Sequence, residues 1–170
     1  MKKIFIYGLT LFGLSLSMVG CMPKDDLEYD GPNVVEFKNH LQSRVATSLP
    51  AGVTANGALT RTIRVTNRVT DTIFVQLVGP QQSSPIDLNF NVDAASTSVA
   101  GTHYNLRPVG TTRVTIPANS SVGYLLTDVV ATSIPVTTPA TTYTLIFNLV
   151  GNEQVKASPN YSRFTLTLRN

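Results

Sequence analysis

From Val34 onward the chain alternates apolar and polar positions with the period of two that a half-buried strand requires, and no stretch carries a helical period. Ile73, Val75 and Leu77 alternate with Phe74, Gln76 and Val78, and Ile86, Leu88, Phe90 and Val92 alternate with Asp87, Asn89 and Asn91. Val122, Tyr124 and Leu126 share a face, as do Tyr143, Leu145, Phe147 and Leu149, and as do Phe164, Leu166 and Leu168. Each set is expected to face a core. Less regular candidates are Asn33 to Lys38, Gln42 to Thr47, Leu59 to Thr66 and Thr112 to Ile116, which brings the expected number to eight or nine strands.

Breakers separate these runs: Leu49 to Gly57, Gly79 to Pro85, Ala131 to Ala140, and Gly151 to Asn160. Short strands at this spacing predict an all-β domain over residues 33–170, an antiparallel β-sandwich of immunoglobulin-like type, with a closed barrel as the alternative. The last strand ends at Asn170. If it lies at a sheet edge, its backbone groups are open to pairing, tempered by Arg163 and Arg169. No heptad run and no internal repeat interrupts this pattern.

The first twenty residues follow different rules. Lys2 and Lys3 precede a mostly apolar stretch from Ile4 to Met18, and small Gly20 stands before Cys21. A membrane span needs about 20 apolar residues, and only about 15 lie here, so a cleaved secretory signal over residues 1–20 is expected. Residues 21–32 follow as an acidic, solvated tether holding Asp25, Asp26, Glu28 and Asp30.

Charge adds little beyond this. The formal net charge is +3, from 13 basic and 10 acidic residues. Without Lys2 and Lys3 the 11 remaining bases leave +1, and Arg61, Arg64, Arg68, Arg107, Arg113, Arg163 and Arg169 are scattered along expected strands as solvent-face residues. That is no footprint for nucleic acid. A single cysteine excludes an intramolecular disulfide.

The stretch Ser17-Met18-Val19-Gly20-Cys21 resembles the bacterial lipobox, with Met18 where that family prefers Leu. The resemblance implies that Cys21 carries diacylglycerol and ties the chain to a membrane; each buried acyl methylene contributes about 0.8 kcal/mol. Lys24-Asp25-Asp26 resembles the export signal that sends Bacteroidota lipoproteins to the outer face of the outer membrane, so the expected location is the outer membrane, facing the cell surface.

Residues Ala100-Gly101-Thr102-His103-Tyr104, followed by Val114 to Ser121, resemble the Calx-beta domain, with its Ala-Gly-Thr-Asp-Tyr motif and its Val-Thr-Ile-Pro-Ala-Gly segment. The likeness runs from about Ile86 to Val130. The same arrangement occurs in small Bacteroidota lipoproteins carrying a domain of unknown function, which this chain is most similar to. It implies an immunoglobulin-like sandwich and no known activity. His103 replaces the aspartate of the calcium-binding members, and Asp128 stands alone where they carry an acidic run. Calcium wants six to eight oxygens with several negative charges, so no calcium, no other metal and no cofactor is expected.

Catalytic chemistry is sparse. Outside the tether the titratable candidates are His40, His103, Glu36, Asp71, Asp87, Asp93, Asp128 and Glu153, and they form no zinc, nucleophile-elbow or phosphate-loop signature. His103 reads as a loop residue and both histidines as surface ones. Asp87 and Asp93 could in principle make the carboxylate pair of a glycosidase, but Asp87 is on the polar face of an expected strand and Asp93 at its end, where solvated aspartates sit. A sugar platform calls for exposed rings; with no tryptophan in the chain, Tyr104 and Tyr161, both near expected loops, are the candidate ligand contacts. Asp71-Thr72-Ile73 resembles the Bacteroidota O-glycosylation sequon, which makes Thr72 a candidate acceptor.

These readings predict a surface lipoprotein that is no enzyme: an interaction module for a protein partner or a glycan, contacting it through loops Ser48 to Leu59, Ser98 to Arg107 and Ala131 to Thr142. A subunit of a pilus-like surface assembly is the alternative, and an unrecognised hydrolase the third reading.

Overall fold

The computed structural model describes residues 29–38, 59–66, 70–137 and 139–170. The expected signal, Cys21, Lys24, Asp25, Asp26, His40 and the expected strand Gln42 to Thr47 lie outside them. Among the described residues the chain forms β1 (Val34–Phe37), β2 (Thr60–Arg64), β3 (Thr70–Val78), β4 (Ile86–Val92), β5 (Tyr104–Arg107), β6 (Arg113–Ile116), β7 (Val122–Val129), β8 (Thr142–Gly151), β9 (Lys156–Ala157) and β10 (Arg163–Arg169), with one 3-10 turn at Ala131–Ser133. The fold is all-β. Sequence periodicity missed β5 and β9, which are four and two residues long and are bounded closely by turn residues.

The strands make one continuous hydrogen-bonded sheet, in the order β2, β10, β8, β9, β1, β3, β7, β5, with β4 branching from β8 and carrying β6. Phe147 and Asn148 pair with β10 on one edge of β8 and with β4 on the other. Gly151, at the end of β8, pairs with Lys156 of the short β9, and β9 then runs beside β1. A Cβ at Gly151 would lie 2.3 Å from the Val155 carbonyl oxygen, and φ there is +78°, so the junction where β8 hands over to β9 requires glycine.

The sheet is mixed, which corrects the expectation of an antiparallel one. β10 runs parallel to β2, from Thr165 opposite Thr60 to Arg169 opposite Arg64, and β1 runs parallel to β9. Alternation specifies which face of a strand is buried and is silent on the direction of its neighbour. β2 also covers the outer edge of β10, so the last strand lies between two others rather than at an edge.

The inward phases of β3, β4, β8 and β10 fall as the alternation predicts, except at Val92, which ends β4 exposed: Ile73, Val75, Leu77, Ile86, Leu88, Phe90, Leu145, Phe147, Phe164, Leu166 and Leu168 are all buried. They join a single apolar cluster drawn from both arms of the sheet. Phe37 of β1 meets Phe164 of β10 with ring centroids 5.7 Å apart, and Phe90 of β4 meets Phe147 of β8 at 5.9 Å. Each such side chain contributes about 1.5–3 kcal/mol when fully buried.

One charged pair sits inside this core. Asp71 takes the same inward phase as Ile73 and is fully buried, and Arg61 of β2 donates from Nη1 to its Oδ1. The Arg61 side chain is only 11 % exposed, and its guanidinium lies 5.8 Å from the centroid of the Phe164 ring. The expectation that Arg61 faces solvent is therefore wrong. β2 alternates with an arginine at an inward position, and a buried carboxylate on β3 compensates it.

Candidate binding face

β7 decides where the exposed rings stand. Its sequence, Val122 to Val129, is apolar on both faces, and the expectation that Val122, Tyr124 and Leu126 point inward is reversed. Leu125, Thr127 and Val129 are the buried ones. The reason lies at Gly123, where a Cβ would meet the Thr115 carbonyl oxygen at 2.6 Å and Ile116 Cγ1 at 3.1 Å. β6 approaches β7 so closely there that only hydrogen fits inward. Gly123 thus takes the core side and Tyr124 the outer side.

Tyr124 is 55 % exposed and stands directly opposite Phe74 of β3, with ring centroids 5.1 Å apart in an edge-to-face arrangement at 75°. Val122 and Leu126 flank Tyr124 along its own strand, opposite Gln76 and Thr72. Across from Leu126 on the next strand is Arg107 of β5. The result is an apolar strip crossing β3 and β7 on the outer face.

Polar groups border the strip on both sides. Asp128 accepts from Arg107 Nε at 3.1 Å and Nη2 at 2.5 Å, and from Thr70 Oγ1 at 2.6 Å. The Arg107 guanidinium, then the Thr70 hydroxyl, hold the Asp128 carboxyl below its ordinary value, and Asp128 in turn raises that of Arg107. On the β1 side Lys38 Nζ donates to Glu36 Oε1 at 2.7 Å, and the Lys38 backbone N–H donates to the Phe74 carbonyl.

The tyrosines singled out from the sequence lie elsewhere. Tyr104 starts β5 opposite Val129 and is 4 % exposed, so its ring belongs to the core rather than to an exposed loop; burial pushes its hydroxyl pKa up. The Ala100–Tyr104 turn places it inward because it opens a strand rather than a loop. Tyr161 is 41 % exposed, and its carbonyl accepts from Phe37 N–H of β1. β3 and β7 stand between β1 and β5, so the structure does not bring these two rings together. Thr72 lies within β3, next to the buried Asp71.

His103 is also internal. Only 8 % of it is exposed, its Nδ1 accepts from Val99 N–H at 2.9 Å, and its ring stacks on Tyr143 at 3.9 Å. The expected surface histidine is a structural one that closes the turn before β5. Asp87 accepts from Thr115 Oγ1 at 2.6 Å. Asp93 accepts from Asn148 Nδ2 and the Ala95 N–H, both at 2.9 Å, and from Arg163 Nη1 at 2.5 Å; these contacts lower its pKa to about 2. Residues 87 and 93 lie along one extended segment, about 20 Å apart at about 3.3 Å per residue, whereas a glycosidase pair needs about 5–9.5 Å. Among the described residues no group of three His, Cys, Asp or Glu side chains converges to hold a metal ion, and no helix is long and apolar enough to cross a membrane.

Sequence reasoning missed the Phe74–Tyr124 pair. The available signal was Gly123 itself, a glycine inside an otherwise regular strand, which marks close approach of another backbone.

No family profile matches the chain, and no curated protein matches it. Among solved structures, it is similar to a two-domain protein of unknown function from Bacteroides fragilis, at 7 % identity and a TM-score of 0.48, over 81 % of this chain and 45 % of that one. The chain therefore spans less than half the length of that neighbour.

Proposed function

We propose that this chain is a non-catalytic binding module, held by lipid at Cys21 on the outer face of the outer membrane, that captures an extracellular protein or glycan through the outer face of β3 and β7. The observation that carries the reading is the solvent-exposed Tyr124 ring set against Phe74 in an apolar strip with hydrogen-bonding groups on both sides. A ring that stays exposed on a regular sheet, as Tyr124 does beside half-buried Phe74, where threonine would serve the fold as well, marks an interaction surface.

The finer fold assignment belongs to the same proposal. A sheet whose two arms share one core, with β9 at the fold line, supports an immunoglobulin-like sandwich of two layers, β2-β10-β8-β4-β6 over β1-β3-β7-β5. The lipobox and the Lys24-Asp25-Asp26 triplet support the location. A non-catalytic role is supported by the engagement of Asp71, Asp93 and Asp128 in ion pairs and of Asp87 with Thr115.

The test is recovery of whatever accompanies the full-length protein from gently solubilised membranes, compared with Tyr124→Arg and with Val109→Arg. Val109 is 83 % exposed and lies off the strip. The ligand is expected to be lost with Tyr124→Arg and kept with Val109→Arg. Equal recovery with both variants would refute the assignment of this face.

A further inference from the structure

We infer that the occupant of the β3–β7 face is an uncharged oligosaccharide, lying obliquely across the strands with one sugar on the Tyr124 ring; this rests on the proposed role of that face in binding.

Charge is the first argument. Both ionic groups beside the rings are neutralised within the protein, Arg107 by Asp128 and Lys38 by Glu36. Among the described residues the strip therefore offers no net charge to an acidic or a basic partner. Hydrogen-bonding capacity nevertheless remains. A guanidinium has five N–H donors, and Arg107 spends two of them on Asp128 while its side chain stays 55 % exposed. The carboxamide of Gln76, half-buried on the same face, adds a donor and an acceptor. Neutral hydroxyls around an apolar C–H face are the chemistry this combination accepts, the ring taking the C–H face and the flanking groups the hydroxyls.

Size is the second argument. Among the described residues the strands that form this side hold 4, 9, 8 and 4 residues, with alternate ones facing outward. That is well short of the roughly 20–30 residues a side that a standard protein interface uses. From Arg107 to Gln76 the register crosses two strand spacings and runs four residues along the strand, about 16 Å in all, with Tyr124 and Phe74 in the row between. A single sugar cannot reach both flanks, and a short chain of them can.

The test presents the full-length protein in detergent micelles to immobilised neutral oligosaccharides, namely β-1,4-glucan, mannan and N-acetylglucosamine oligomers, beside sulfated and sialylated ones. At least one neutral class should be retained. Tyr124→Ala should weaken that retention about tenfold or more, as expected for loss of a stacked ring, and Tyr124→Phe should leave it close to wild type. Thermal unfolding of both variants separates lost stacking from lost fold. Retention of acidic glycans alone, retention of none, or retention undiminished in a folded Tyr124→Ala protein overturns the inference. A protein that co-purifies from membranes and is lost with Tyr124→Arg, with no glycan retained, overturns the oligosaccharide and leaves the binding face standing. If neither ligand depends on Tyr124, both fall.

Discussion

At the scale of single residues, two carboxylates show how partners set the response to acid and to mutation. Asp93 titrates at about 2 rather than 3.8 because Asn148, Ala95 and Arg163 all donate to its ionised form. A depressed carboxylate stabilises the fold fully above its unfolded value and loses that contribution as pH falls through its folded one. The urea midpoint should therefore hold steady down to about pH 4 and drop toward pH 2, with Asp128, lowered by Arg107, adding to the drop. Asp93→Asn should remove part of that slope when midpoints are measured from pH 2 to pH 7. The second carboxylate is Asp71. Arg61→Met breaks this buried ion pair and should cost about 3–5 kcal/mol in urea unfolding, whereas Arg61→Met combined with Asp71→Leu should recover most of the loss. A double variant as unstable as the single one would mean that the charge is not the source. Neither environment was legible in the sequence, where Asp71 and Arg61 each look like the polar half of an alternating strand. Only packing of β2 and β3 against one core turns both inward.

At the scale of elements, Gly151 and Gly123 control how strands meet. Gly151 and Gly110 both have positive φ, at +78° and +71°, but only Gly151 has backbone against the position of a Cβ. Gly110→Ala should cost only the left-handed backbone penalty of about 1–2 kcal/mol. Gly151→Ala should cost that and a further 1–3 kcal/mol or so for the collision with Val155, a difference readable as separate thermal midpoints. β7 makes the related point about phase. Its alternation is equally apolar on both faces, so period alone cannot choose between Tyr124 and Leu125 as the buried residue. The choice comes from β6, whose carbonyl at Thr115 excludes any side chain at position 123. β10 shows the converse: Phe164, Leu166 and Leu168 alternate with Thr165 and Thr167, and their burial follows directly from that pattern.

At the scale of the molecule, the export reading and the fold make separable claims. Cys21→Ser should abolish acyl incorporation, measured by mass spectrometry of the N-terminal peptide, and should move the protein from the membrane pellet to the soluble fraction. The β-domain should keep its thermal midpoint in that variant, because among the described residues its apolar core is built from Val35 onward and includes no residue of the tether. A lowered midpoint would tie the anchor to folding rather than to location.

The sequence by itself determined that the domain is all-β, where most of its strands run and which side chains of β3, β4, β8 and β10 face the core, because those are local properties of a two-residue period and its breakers. It also supplied the whole basis for the expected lipid anchor. The tertiary structure decided the parallel pairings of β10 with β2 and of β1 with β9, the burial of Tyr104, His103 and the Arg61–Asp71 pair, and the exposure of Tyr124. Each of those depends on which distant segment arrives beside a strand and how near it comes, and a repeat of two residues carries no record of either.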